Sequence, residues 1–408
     1  MIPHSQPQPH SHSHKHRYHH HGYHPKPGTP RIAGASLEAL NTLTEEEVEF
    51  ILGLPKAELH AHLNGCVGME VLFELADEFV EGIGFEQVPP NSSNRNPTPL
   101  STSPTLTKTQ IQSSLKRLES FSIDDIGEFF KVFGVIYGLV STREALGRVT
   151  RGVLGGFLGE VGEESESESE CTYLELRTTP RRLGRSSLRE YLETVLGEVE
   201  RYPKEKAGLI VSVDRRMGVA TENESEGGIT VEEVVNLAIE MKKQGRRVVG
   251  VDVCGDPRSG DMELLKPFMG KVREVGLGLT VHIAEIPGSV SGDTQHLLSF
   301  TPDRIGHGTF LSEEEKEIVL ERRIPVEVCL SSNIICKTVP DLASHHIRYY
   351  LERDHPIVLC TDDTLPFRTS LTAEYALLLA KPPFGLGLSR EEVRRVAEWS
   401  LEVRFGGR

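Results

Sequence analysis

Short apolar runs of strand length recur along the chain and alternate with amphipathic stretches of helical length. The stretches 231–243 and 262–275 have the spacing of amphipathic helices. The strand-like runs are rich in β-branched residues, which favour extended structure. One run ends in His60-Ala-His62, and the others are Cys171–Arg177, Gly208–Asp214, Val248–Val253, Gly278–His282, Arg304–His307, Pro325–Cys329 and Pro356–Thr361. Eight strands, each followed by a helix or a loop, predict an α/β chain folded as a (β/α)8 TIM-type barrel.

Three segments depart from this alternation. Residues 1–35 are rich in His, Pro, Ser and Gly and cannot bury a core, so they predict a disordered tail, with weak metal scavenging as the alternative. Residues 82–114 are rich in Pro and Ser and predict an exposed insertion. The acidic run 163–170 predicts a solvated loop, because like charges repel. A single barrel domain is therefore expected over residues 36–408, with a helix capped by Thr44 near its start.

Composition and charge argue against several classes of protein. The formal net charge of −15 argues against a nucleic-acid-binding surface, which would be basic. No apolar stretch approaches the roughly 18 residues needed to cross a bilayer, and the first residues lack the apolar run of a secretory signal. The six cysteines are scattered and include no C-x-x-C pair, which favours buried reduced thiols over a disulfide framework. We therefore expect a cytoplasmic monomer with no nucleic-acid or membrane partner.

The histidines outside the N-terminal segment indicate metal chemistry. His60 and His62 are two residues apart in a predicted strand, so their side chains point to the same face. His282, His307 and Asp362 each lie at the C-terminal end of another predicted strand, where such barrels hold their active sites. Taken singly, each has a structural alternative, a core histidine or a helix cap. Together they supply the nitrogen and oxygen donors that suit zinc, and they indicate a metal hydrolase.

Over about residues 54–400 the chain resembles the adenosine deaminase family of the amidohydrolase-like barrels. The motifs that carry the resemblance are His60-Ala-His62, His282-Ile-Ala-Glu285, Gly306-His307-Gly308, Ser331-Ser-Asn333 and Thr361-Asp-Asp363. The resemblance implies a zinc-dependent aminohydrolase with one Zn²⁺ per subunit. The implied zinc ligands are His60, His62, His282 and Asp362.

The resemblance also implies roles for individual residues. Glu285 corresponds to the acid that delivers a proton to purine N1, and His307 corresponds to the base that orients and deprotonates the attacking water. Asp363 corresponds to the partner of purine N7, and Gly255 to the backbone donor to N3. A buried carboxyl with a raised pKa can hold the proton that Glu285 has to deliver.

Stretches such as Leu174–Arg181 and Asp303–Leu311 resemble the adenosine deaminase-like branch of the family, which acts on N6-methyl-AMP, more than adenosine deaminase itself. The resemblance therefore implies a purine nucleotide substrate that yields IMP and methylamine. Two alternatives stay open, an adenosine deaminase acting on adenosine or 2′-deoxyadenosine and a non-catalytic metal- or nucleoside-binding barrel. The implied substrate contacts are His62, Asn64, Tyr137, Thr178, Thr179, Pro180, Arg181, Asp214, Gly255 and Asp363.

The predictions for the phosphate contacts and for the C-terminal end rest on local sequence patterns. Thr178, Thr179 and Arg181 follow a strand end, where hydroxyl groups and a guanidinium can converge on a phosphate. A structural turn is the alternative. Tyr137 stands where the resemblance implies a histidine. The chain stops at Arg408, soon after its last helical run, which predicts incomplete closure of the barrel.

Overall fold

Eight strands form one parallel sheet in chain order, and neighbouring strands pair along their length. The computed structural model describes residues 31–79, 107–120, 126–162, 169–219, 228–288 and 292–406. The strands are β1 (Ala57–His62), β2 (Tyr173–Thr178), β3 (Ala207–Asp214), β4 (Val248–Cys254), β5 (Gly278–Ile283), β6 (Arg304–His307), β7 (Val326–Val328) and β8 (Ile357–Leu359). Each predicted run overlaps one of them, and the predicted (β/α)8 barrel is confirmed.

Helices surround the sheet and connect successive strands. Reciprocal capping boxes begin several of them, among them the predicted one at Thr44, whose hydroxyl accepts from the N–H of Glu47. No helix within the described ranges combines the length and the apolar character needed to cross a membrane. The helices are α1 (Gly34–Thr42), α2 (Glu45–Leu52), α3 (Met69–Glu78), α4 (Lys108–Ser120), α5 (Ile126–Leu139), α6 (Arg143–Leu158), α7 (Leu188–Val199), α8 (Val231–Lys243), α9 (Lys266–Glu274), α10 (Asp293–Ser299), α11 (Glu313–Glu321), α12 (Leu330–Ile335), α13 (Ile347–Leu351), α14 (Thr364–Phe367), α15 (Leu371–Leu379) and α16 (Arg390–Glu402).

Charged side chains fill much of the barrel interior. Barrels of this type usually fill it with branched apolar residues, and a buried charge is costly unless it is paired. Alternate residues of a strand face opposite sides, so the apolar neighbours of these charges pack outward against the helices. The charged interior therefore indicates that the strands serve a site as well as a core. The interior residues, all fully buried, are Glu58, Glu175, Arg177, Asp252, Arg304 and Glu327.

The seam between β8 and β1 is closed in part by a side chain. The N–H of His62 donates to the carbonyl of Asp362 at 3.1 Å. The Glu58 carboxylate accepts from the N–H of His60 at 2.7 Å and from the N–H of Thr361 at 2.8 Å. Burial raises the pKa of Glu58 to about 7, although these bonds oppose the rise. Glu58 thus links the two strands at the level of His60 and Thr361.

The last described residues pack against the floor of the barrel, the end formed by the first residues of the strands. The N–H groups of Phe405 and Gly406 donate to Glu175 at 2.5 and 3.1 Å. A Cβ atom on Gly278 would lie 2.3 Å from the Phe405 ring, so the ring fits only because that residue is glycine. Residues 403–406 therefore cover the floor of the barrel, and the expected incomplete closure stays a prediction.

The folded domain begins before the predicted boundary at residue 36. The side chain of Ile32 is buried. The N–H of Ala33 donates to the carbonyl of Arg368 at 3.0 Å, and α1 follows directly. Residues 1–30, which hold most of the predicted tail, lie outside the described residues.

Two other predicted loops are partly replaced by ordered structure. Helix α4 takes up the end of the predicted insertion and buries Ile111 completely. Glu170, at the end of the acidic run, is buried and accepts from the N–H and hydroxyl of Thr372 at 2.7 and 2.6 Å. This glutamate therefore caps α15 rather than lying in a solvated loop. Residues 82–106 and 163–168 lie outside the described residues.

Candidate active site

Four side chains from three parts of the chain meet at the mouth of the barrel, the end formed by the last residues of the strands. β1 supplies His60 and His62, β5 supplies His282, and Asp362 follows β8. One donor atom from each lies within 4.8 Å of the others. The Nε2 atom of His282 lies 3.0 Å from that of His60 and 3.2 Å from that of His62. An Asp362 oxygen lies 3.7 Å from Nε2 of His60 and 3.5 Å from Nε2 of His62.

Buried carboxylates contact two of these imidazole rings at Nδ1, the ring nitrogen that faces away from the cluster. Nδ1 of His60 contacts Glu327 at 2.6 Å, and Nδ1 of His282 contacts Asp252 at 3.0 Å. A proton held on each Nδ1 leaves a lone pair on each Nε2, so the two lone pairs face each other. Such a pair repels unless a cation lies between them. The orientation is the one that carboxylates impose on metal-binding histidines.

The pKa shifts of His60, His62 and Asp362 fit a metal site, whereas the shift of His282 runs the other way. Burial lowers the pKa of His62 to about 3 and that of His60 well below its usual value, so both rings are neutral at pH 7. In His282 burial lowers the pKa and the Asp252 carboxylate raises it, and the net change is upward. Burial opposes ionisation of Asp362, but the surrounding imidazoles outweigh it and lower its pKa. Neutral imidazoles and an ionised carboxylate are the forms that bind a metal ion.

The groups predicted to transfer protons lie beside this cluster. Nε2 of His307 is 3.9 Å from a Glu285 oxygen and 4.0 Å from an Asp362 oxygen. Nδ1 of His307 and Oδ1 of Asp363 are buried without a hydrogen-bond partner among the described residues. Burial and the adjacent Asp362 raise the pKa of Asp363 well above its usual value. The pKa values of the two neighbouring aspartates are thus shifted in opposite directions, that of Asp362 downward and that of Asp363 upward.

Backbone strain accompanies these groups. His307 and Asp362 have φ values of 63° and 62°, and Ala284, between a histidine and Glu285, has 49°. Non-glycine residues enter this left-handed region at an energetic cost, and such residues cluster at functional sites. Nε2 of His346 lies 2.9 Å from the His307 carbonyl oxygen and supports the strained turn.

Other predicted substrate contacts also lie at the mouth. Asn64 is buried, and within the described part of the chain its side-chain oxygen has no hydrogen-bond partner. Gly255 adjoins Asp214, because a Cβ atom there would lie 2.7 Å from an Asp214 oxygen. The Thr179 hydroxyl lies 3.6 Å from the thiol of Cys254, which ends β4. These residues follow different strands, yet the barrel brings them to the same end.

Two predicted phosphate contacts are placed differently. The Thr178 hydroxyl is 2.8 Å from the Tyr191 hydroxyl on α7, so it points away from the barrel interior. The Arg181 guanidinium donates to the carbonyls of Tyr137 and Val140 at 3.0 and 2.6 Å, and it lies 4.7 Å from the Tyr137 ring centre. These bonds tie the turn after β2 to the end of α5, as the structural alternative predicts. Pro180 is buried in the same turn.

Sequence reasoning missed the carboxylates that orient the histidines. Asp252 lies in Val251-Asp-Val253 and Glu327 in Val326-Glu-Val328, each a lone acidic residue in an apolar strand. Ser332, in the motif Ser331-Ser-Asn333, was given no role, although its hydroxyl donates to Asp362 at 2.8 Å. An acidic residue inside an otherwise apolar strand is the signal that could have identified the first two, because burial requires it to be paired.

The family model described as adenosine deaminase matches residues 102–406. The chain belongs to the adenosine deaminase family. The adenosine deaminase-like protein of Drosophila melanogaster is 33% identical over 83% of this chain and 88% of its own length. The N6-methyl-AMP deaminase of Danio rerio is 32% identical over 87% of this chain and 92% of its own.

Solved structures of the adenosine deaminase family agree with this assignment. The crystal structure of the Arabidopsis N6-mAMP deaminase is 30% identical, with a TM-score of 0.69 over 88% of this chain and 95% of that one. The crystal structure of Arabidopsis ADAL complexed with IMP is 30% identical, with a TM-score of 0.69 over 88% of this chain and 94% of that one. Family membership confirms the prediction of a hydrolytic aminohydrolase acting on purines. Members of the family are metal-dependent, and the His/Asp cluster can bind a metal ion.

Proposed function

We propose that this member of the adenosine deaminase family is a zinc-dependent aminohydrolase that converts N6-methyl-AMP to IMP and methylamine. The observation that carries the proposal is the cluster of three imidazoles and one carboxylate with Glu285 and His307 beside it. The choice of a nucleotide is supported by relatives named N6-methyl-AMP deaminase in Danio rerio and Homo sapiens, each 32% identical to this chain.

Zinc fits the donor set better than calcium or magnesium does. Zinc accepts imidazole nitrogen and carboxylate oxygen in tetrahedral sites, whereas calcium and magnesium prefer oxygen alone. Donors around a tetrahedral zinc ion lie about 3.3 Å from one another. His282 lies 3.0 and 3.2 Å from His60 and His62, and Asp362 lies 3.7 and 3.5 Å from the same two rings, which is close to that edge length. We assign these four residues as ligands of one zinc ion per subunit.

The proposed chemistry divides among three side chains and one backbone group. Zinc, when bound, supplies a water molecule that loses its proton near pH 7. His307 orients the attacking water and takes its proton. Glu285 delivers a proton to purine N1, which makes C6 receptive to attack. Asp363, whose raised pKa favours the protonated form, donates to N7, and the N–H of Gly255 donates to N3.

The remaining proposed contacts bind the ribose and phosphate ends of the nucleotide. Asn64, Thr179 and Asp214 offer polar groups at the mouth. Tyr137 adds a phenol held in place by Arg181. Thr178 stays outside this proposed set, because its hydroxyl faces α7. Arg181 contributes to substrate binding only indirectly, through the turn that its hydrogen bonds hold in place.

The substrate is tested with purified zinc-loaded protein and a panel of N6-methyl-AMP, AMP, N6-methyladenosine and adenosine. We expect turnover of N6-methyl-AMP with release of methylamine and IMP, and much slower turnover of both nucleosides, because the nucleosides lack the phosphate. Turnover of adenosine alone would make the protein an adenosine deaminase. No turnover of any purine, with tight nucleotide binding retained, would favour the binding-barrel alternative.

A further inference from the structure

A continuous row of buried charged side chains joins the floor of the barrel to a proposed zinc ligand. Glu175 contacts Arg304 at 2.7 Å, and Arg304 contacts Glu327 at 2.7 Å. Glu327 in turn contacts Nδ1 of His60 at 2.6 Å. All four side chains are fully buried. We call Glu175, Arg304, Glu327 and His60 the charged column.

The C-terminal segment 403–406 forms the lower end of the charged column. Its N–H groups at Phe405 and Gly406 donate to the Glu175 carboxylate. The Val403 carbonyl accepts from Arg304 at 3.0 Å, and the Phe405 ring centre lies 3.6 Å from the guanidinium carbon of Arg304. The segment therefore contacts both charges at the base of the charged column, through backbone and ring together.

We infer that segment 403–406 positions His60 through the charged column and thereby sets the affinity and geometry of the proposed zinc site. The inference rests on the proposed function in one respect, that zinc is the ion bound. It concerns positioning only, because Glu175 and Phe405 touch no substrate and no metal ligand.

The charged column can transmit a displacement because its members are fully buried and each contacts the next. Buried ion pairs are stable only when their hydrogen bonds stay complete, and the loss of one partner leaves an uncompensated charge. Arg304 that loses Glu175 is drawn more strongly to Glu327. One Glu327 oxygen accepts from Arg304 and from Thr280, and the other contacts Arg177 and His60. A rotation of this carboxylate therefore changes how the His60 ring is held.

The variants Glu175→Gln and Phe405→Ala test the inference at the base of the column, far from the ligands. Carboxylates that orient metal-binding histidines typically affect metal affinity by about tenfold or more. We expect both variants to bind zinc several-fold to about tenfold more weakly in competition with a chelator. With cobalt(II) in place of zinc, we expect a shifted absorption spectrum, which reports ligand geometry without any turnover.

Matched controls separate positioning from loss of stability. Glu170→Gln changes a buried carboxylate that caps α15 and lies outside the charged column. Phe50→Ala removes a ring that lies 5.2 Å from the guanidinium of Arg390 on the surface. Both controls should lower the thermal midpoint while zinc affinity and the cobalt spectrum stay as in wild type. Phe405→Leu keeps apolar packing on the floor but removes the ring that lies against Arg304. If Glu175→Gln does not fold, the zinc affinity and cobalt spectrum of Phe405→Leu test the inference in its place.

The outcomes distinguish this inference from the proposed function. Column variants that lose stability but keep wild-type zinc affinity and an unchanged cobalt spectrum would overturn the inference. A wild-type protein that binds zinc yet does not deaminate N6-methyl-AMP would overturn the proposed function alone. Weakened zinc binding in the column variants and not in the controls would support the inference in either case.

Discussion

The guanidinium of Arg215 contacts both carboxylate oxygens of Asp293 at 3.0 Å, and both side chains are buried. Arg215 also donates to the carbonyl of His282 at 2.8 Å. Asp293 is the first residue of α10, so the pair joins the end of β5 to the next helix. The segment between these two points carries Glu285.

Arg215→Ala should therefore destabilise the fold strongly. It leaves the Asp293 carboxylate buried without its partner, which typically costs about 3–5 kcal/mol. Urea denaturation measures the change in the free energy of unfolding. Arg182→Ala is the control, because Arg182 pairs with Glu233 at 3.4 Å on the surface, and exposed pairs contribute about 1 kcal/mol or less. Equal losses in the two variants would contradict the prediction.

A buried glutamate should make stability depend on pH. Glu374 on α15 is fully buried, and burial raises its pKa from 4.5 to about 7, against the hydrogen bonds from Ser331 and Thr369. Between these two values the folded state keeps a proton that the unfolded state has released. The contribution of this group is therefore complete below pH 4.5 and is lost as pH rises through 7, by about 3 kcal/mol at most.

Glu374→Gln removes this pH-dependent contribution to the free energy of unfolding, because the amide does not titrate. Relative to wild type, we expect the variant to gain stability between pH 5 and pH 8, measured as the difference in unfolding free energy. Glu38→Gln on the exposed side of α1 is the control and should give the same difference from wild type at both pH values. A Glu374→Gln profile parallel to wild type would show that the group ionises in the folded state as it does in the unfolded one.

Removal of the metal ion should cost both activity and stability. The facing Nε2 atoms of His60 and His282, 3.0 Å apart, repel without a cation. Dialysis against a chelator should abolish deamination and lower the free energy of unfolding. Zinc at a thousandfold excess over its Kd should restore about 4 kcal/mol. Magnesium should restore neither property, because it binds imidazole poorly. Full stability after verified removal of all metal would contradict the zinc assignment.

The strands and the proposed ligands were predictable because each has a local signal. Strand positions such as Val248–Val253 are β-branched and apolar, and His60 and His62 share a face by the two-residue repeat. The same repeat places Arg177 in the interior and Thr178 outside it, so the alternation already argued against Thr178 as a phosphate contact.

Other features depend on contacts between distant residues, which carry no local signal. Arg181 lies 41 positions from Val140, whose carbonyl it contacts, and no local pattern distinguishes such a guanidinium from a phosphate ligand. Glu327 lies 267 positions from His60, and only the closed barrel brings the two together. The floor contacts of Phe405 likewise depend on the complete ring of strands. Sequence thus predicted which residues share an end of the barrel better than which residues touch.

Replacement of Glu285 separates binding from chemistry. The amide in Glu285→Gln keeps the shape and polarity of the side chain but cannot deliver a proton to purine N1. We expect the turnover number for N6-methyl-AMP to fall by about a hundredfold to ten-thousandfold, the usual contribution of a general acid. The affinity for IMP, measured by calorimetry, should change far less. Glu263→Gln, at an exposed position in the loop after β4, should leave both quantities unchanged. A Glu285→Gln enzyme with wild-type turnover would assign the proton delivery to another group, with Asp363, whose pKa is raised, as the next candidate.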